Sequence, residues 1–149
     1  MKIEEEIKQK LFQSEYQKAV INILFTSSWL SSANSKALKP YDITPQQFNI
    51  LRILRGQFPN PATVSILQDR MLDRMSNASR LVEKLKLKKL VDRKECKQDR
   101  RQVDIIITEA GLDLLKKIDL NLKDFENIVD EISLKEAEEL NRILDKMRG

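Results

Sequence analysis

Apolar residues recur at spacings of three and four from Ile3 through Ile7, Leu11, Phe12, Tyr16, Ala19, Val20, Ile23 and Leu24 to Leu30. That rhythm predicts one long amphipathic helix over residues 3–30. The polar run SSANSKALKP reads as a connector, ended by Pro40. Thr44-Pro45-Gln46-Gln47 combines a capping threonine, a proline at the first helical position and a glutamine three residues after the cap. A second helix is expected there, burying Phe48, Leu51, Ile53 and Leu54 and stopping before GQFPNPA. Thr63 is the expected cap of a short third helix through VSILQDRM, and LDR is a tight link to Ser76, the expected cap of a fourth. That fourth helix, SNASRLVEKLKLKK, turns Ala78, Leu81, Val82 and Leu85 inward.

After Leu90 the period changes from helical to alternating. VDRKEC and VDIIIT, the latter with Val103, Ile105 and Ile107 on one face, predict a hairpin whose tip is KQDRRQ. Thr108 then caps a fifth helix carrying Leu112, Leu115, Ile118, Leu122, Phe125, Val129 and Ile132 on one side. Ser133-Leu134-Lys135-Glu136 is a capping box that opens a sixth. Two helices joined by a short link and followed by a hairpin make a mainly α winged helix-turn-helix with a two-stranded β wing. The 149 residues suit one domain, with three glycines, four prolines and 5% aromatic residues favouring helices over a sandwich or barrel.

Charge sharpens this picture. The net charge is only +4, but the segment from Arg70 to Arg101 holds twelve of the 27 Lys and Arg and five of the 23 Asp and Glu. It carries a local excess of seven positive charges, while the rest of the chain is net negative by three. A basic segment that coincides with a helix-turn-helix and a wing is the electrostatic footprint of a nucleic-acid binder. The first turns of the fourth helix are those able to reach base edges in a major groove, which selects Ser76, Asn77, Ser79 and Arg80, with Lys84 one turn on. Ser76 also has the simpler reading of a cap. On the wing, Lys97, Arg100 and Arg101 suit a narrow, negative minor groove, and Asp99 suits a paired contact that aims a neighbouring guanidinium.

The order TPQQFNILRIL, SNASRLVEKL and LVDRKECKQDRRQVDIIITEAG resembles the MarR family of winged-helix transcription regulators over nearly the whole chain. The most specific part is Asp99, Arg101, Thr108 and Gly111; Lys89 stands where the family usually has glycine before the Leu-Val of the wing, and Ile107 where it has leucine. The resemblance implies a wing arginine in the minor groove oriented by the aspartate. It also implies a homodimer interlocked by the N- and C-terminal helices. Residues 1–149 then divide into dimerisation helices, 1–36 and 109–149, around a winged-helix region, 44–108. The abundance of apolar residues on the end helices supports the same pairing. Two-fold symmetry leads to a pseudo-palindromic double-stranded operator with half-sites about 10 base pairs apart.

Other chemistries find little to work with. The chain has no histidine, one cysteine and no glycine-rich phosphate loop, so neither a catalytic constellation nor a metal site nor a cofactor is expected. No apolar run approaches the roughly 20 residues of a membrane span, and the start MKIEEEIKQK has no apolar signal core, which fits a cytoplasmic protein. Cys96 reads as a small half-buried strand residue, not as the first-helix sensor cysteine of some relatives. The expected activity is sequence-specific transcriptional regulation, most simply repression. A small effector would fit between the dimer helices and the DNA-binding lobe, where Trp29, Tyr41 and Phe48 are candidate lining residues. The alternative is a helical protein-interaction module that kept the winged fold without binding DNA.

Overall fold

The computed structural model describes residues 1–95, 97–99, 101–121 and 131–149. Cys96 and Arg100, and the expected helical positions Leu122, Phe125 and Val129, lie outside these. In chain order the elements are α1 (Ile3–Glu6), α2 (Glu15–Leu38), a 3-10 turn (Lys39–Tyr41), α3 (Pro45–Gln57), β1 (Ala62–Thr63), α4 (Val64–Arg70), α5 (Ala78–Leu87), β2 (Val91–Glu95), β3 (Val103–Ile107), α6 (Glu109–Asn121) and α7 (Leu134–Arg148). The mainly helical winged fold expected from the sequence is what the chain adopts.

Where caps are local the expected boundaries hold. Thr44 accepts from the Gln47 amide while the Gln47 side chain returns to the Thr44 amide, and Pro45 fills the first helical position. Thr63 accepts from Ile66 N–H, and Ser133 with Glu136 forms the box that opens α7. The first helix departs from expectation. It breaks after one turn, with Lys8 in the left-handed region, and restarts at Ser14, whose hydroxyl accepts from Gln17 N–H at 3.1 Å. From there α2 runs through the serine-rich stretch expected to be a connector and ends at Leu38, just before Pro40.

The core lies between α3, α4, α5, the sheet and α6. Ile50, Leu51, Leu54, Leu67, Val82, Leu85, Val91, Ile105, Leu115 and Ile118 are fully buried. Each contributes on the order of 1.5–3 kcal/mol relative to exposure. Phe48 and Leu81, expected inside, are half-buried at its margin, and Ile50 takes a central place that the pattern did not single out.

The sheet has three strands, not two, in the antiparallel order β1-β3-β2. Ala62 and Thr63 pair with Ile105 and Asp104, so the chain between α3 and α4 also braces the root of the wing. Strand β2 is the outer edge, and its Asp92, Arg93, Lys94 and Glu95 are all exposed. Gly111 lets α6 start close against the hairpin: a Cβ there would stand 2.4 Å from the Leu90 carbonyl oxygen and 2.6 Å from Ile107 Cγ1. Thr108 secures the same junction by donating to Lys89 O and accepting from Gly111 N–H.

The outer helices bury almost nothing within one chain. Leu38 is the buried residue of α2, and α7 has none. Tyr16, Leu24, Leu134, Leu140 and Ile143 all face solvent. Beyond its buried face, α6 also reaches α3 and the 3-10 turn through two side-chain hydrogen bonds: Arg55 donates to Asp119 at 2.6 Å, and Asn121 Nδ2 donates to the Tyr41 hydroxyl at 2.7 Å.

Candidate nucleic-acid interface

Helix α5 is built so that one side is inside and the other is free. Ala78, Val82 and Leu85 are buried, whereas Asn77, Ser79, Arg80 and Lys84 are exposed. This split follows the helical period of the sequence, and the free side carries polar and cationic groups at the helix start, where the backbone dipole favours an anion. An open groove lies alongside, lined by Gln46 of α3 and by Ser76, Asn77, Arg80, Leu81 and Lys84.

The start of α5 differs from the expected one by a residue. Asn77, not Ser76, is the cap: its Oδ1 accepts from Arg80 N–H at 3.0 Å. The cap fixes the direction of the asparagine amide: Oδ1 is committed on one side to the helix, and Nδ2 is left as a donor toward a ligand. Ser76 is half-buried and donates its hydroxyl to Asp73 Oδ2 at 2.9 Å. Asp73 also accepts from Met75 N–H, which makes it the organiser of the turn.

The link between α4 and α5 spans residues 71–77, longer than the tight LDR turn expected. Met71 leaves α4 in an extended conformation, and its side chain is buried. Two amides fix the remainder. Asn49 of α3 accepts from Leu72 N–H at 2.9 Å. Gln68 of α4 accepts from Ala78 N–H at 3.0 Å and donates to Ser76 O at 2.8 Å and Arg74 O at 3.3 Å. Neither residue stood out in the sequence, because their partners lie six to 23 residues away and no local spacing betrays them.

The wing abuts the same helix, since the Arg93 guanidinium of β2 pairs with Glu83 of α5. Lys97, Asp99 and Arg101 at its tip are exposed. Asp99 has one further contact that the sequence did not announce, while its expected pairing with Arg100 involves a residue outside those described. Its Oδ1 accepts from the backbone N–H of Arg101 at 2.9 Å, and no ion pair joins it to the Arg101 guanidinium among the described residues. The carboxylate shapes the turn and leaves the arginine side chain free. The Lys89 position is taken up by a left-handed backbone with φ of +59°. Leu90 N–H bonds to Leu85 O and Lys89 N–H to Lys86 O, closing the C-terminus of α5 in the manner usually given to glycine.

Among the described residues no cluster of His, Cys, Asp and Glu is placed to hold a metal ion, and no helix is long and apolar enough to cross a membrane.

The resemblance noted in the sequence stands. A sequence model described as the MarR family matches residues 41–102, from the 3-10 turn through the wing. No curated protein matches the chain in sequence. Solved structures share the fold over most of its length. A MarR transcription factor from Planctomyces limnophilus is 26% identical, with 91% of this chain and 98% of that one covered and a TM-score of 0.69. The S. aureus MepR–DNA complex is 24% identical over 92% of this chain and 97% of the other, with a TM-score of 0.78. A mutant E. coli MarR complexed with operator DNA is 20% identical over 93% and 99%, with a TM-score of 0.81.

Proposed function

From a winged-helix core that matches the MarR family over residues 41–102, we infer that this chain is a MarR-family transcription regulator that binds duplex DNA by sequence. The observation that carries the reading is the exposed polar side of α5, with Asn77, Ser79, Arg80 and Lys84 exposed beside a cationic wing. Arg80, projecting from the first turn, suits the O6 and N7 acceptors of guanine; Lys84, Lys97, Arg100 and Arg101 suit phosphate and the minor groove. Ser76 and Asp99 serve as scaffolds for the two contact elements, holding the turn before α5 and the turn of the wing. That related folds have been solved with DNA, one of them with operator DNA, supports the same interpretation.

The working form is a homodimer. Support comes from the uncovered apolar side chains of α2 and α7, such as Leu24, Leu140 and Ile143, which a second copy would shield. Occupying a pseudo-palindromic operator in this form represses by excluding polymerase. A small effector acts at the junction of the winged lobe and the end helices, where half-buried Tyr41 and Phe48 lie against the core. The test is selection of duplexes from a random pool, followed by binding at rising salt. Enrichment of a two-fold site, with affinity falling steeply as ionic strength rises, is the expected result; no enrichment, or affinity indifferent to salt, overturns the reading.

A further inference from the structure

The side chain of Gln68 spans the gap between α4 and α5, and its amide makes three hydrogen bonds across it. Its Oε1 takes the N–H of Ala78, the first helical residue of α5 and one of the donors that a helix start leaves without an internal partner. Its Nε2 donates to the carbonyls of Arg74 and Ser76. These three groups sit on both sides of Asn77, the cap of α5. One amide thus fixes where the turn ends and where the helix begins, two positions before Arg80. Side-chain hydrogen bonds to fixed backbone groups set direction more sharply than apolar contact does, because they are lost within a few tenths of an ångström and with modest tilt.

We propose that Gln68 is a positioning residue for DNA recognition: it sets the orientation of the first turn of α5, and through it the base preference, without touching DNA. The inference rests on the DNA-binding reading above. Gln68 is only half-buried and lies outside the apolar core, so replacing it leaves the core intact. Gln68→Met keeps the length of the side chain and removes all three bonds.

The full-length protein and its Gln68→Met variant are compared on the duplex that the parent selects and on a scrambled duplex, across a salt series and with thermal melting alongside. The expected result is a loss of about tenfold or more in affinity for the selected duplex. Affinity for the scrambled duplex and the salt dependence stay near those of the parent, while the melting temperature falls only modestly, since the three bonds are exposed or part-buried. A repeat selection with the variant should return a blurred motif at the positions read by α5. Equal affinity for the selected duplex overturns the proposal. So does an equal loss on both duplexes, which marks a merely structural role. A parent that selects no duplex at all overturns the DNA-binding reading, and this one with it.

Discussion

Lys89 holds a left-handed conformation that any side chain with a Cβ adopts at a cost, yet it completes both hydrogen bonds of the helix end. Its glycine replacement removes that cost and returns part of it as greater freedom of the unfolded chain. Lys89→Gly should therefore stabilise the protein by about 0.5–1 kcal/mol, read as a rise of roughly 2–4 °C in thermal melting. An unchanged or lower midpoint contradicts the strain argument. Gly111 presents the opposite case. A methyl group there meets the Leu90 carbonyl, which cannot swing aside as a side-chain end can, and Gly111→Ala should cost about 1–3 kcal/mol in denaturant unfolding. If α5 reads DNA as proposed, Arg80→Ala should weaken binding to the selected duplex by about 1–3 kcal/mol and relax preference at one position. Arg101→Ala should weaken it by a similar amount without affecting the melt, since the turn is held by the backbone of residue 101 and not by its guanidinium. Variants that bind as the parent does remove those residues from the interface.

The elements show where sequence reasoning reaches and where it stops. The starts of α3, α4 and α7 were legible because a cap and its partner are three residues apart, within one local pattern. The same signal stood at Ser14 and Gln17, but the apolar period running across it concealed the break. The serine-rich half of α2 was illegible for another reason: serine and asparagine lower helix propensity only by fractions of a kcal/mol per residue, too little to end a helix that Pro40 terminates anyway. Strand β1 is two residues long and exists through its pairing with β3, which no local pattern announces. At the site, the exposed cations of α5 were legible from the helical period, whereas Gln68 and Asn49 act across the fold. One element carries a pH expectation. The Ser133 hydroxyl and amide hold the Glu136 carboxyl below its ordinary range. A depressed carboxyl contributes its stability above its unfolded value and loses it as pH falls through the folded one. Helicity from α7 should therefore decline on acidification below about pH 4, and Glu136→Gln should flatten that decline in circular dichroism. An identical acid profile for the two proteins excludes the box as its source.

For the molecule as a whole, the tight core of the winged lobe contrasts with end helices that cover little within one chain. If two copies join through them, charge placed on their apolar sides should separate the pair while leaving each lobe folded. Leu24→Glu combined with Leu140→Glu should shift sedimentation toward the single-chain mass and weaken operator binding far more than binding to a half-site. Retention of the paired mass puts the contact elsewhere. The edge strand bears on how far such association can go. Four consecutive charged side chains line the open border of the sheet, so another chain seeking to zip onto it would have to align and desolvate them. If self-recognition runs through the helices instead, a closed two-fold pairing uses that surface up once two molecules meet. Crowded together on nucleic acid, these proteins should stop at pairs and not grow into fibres.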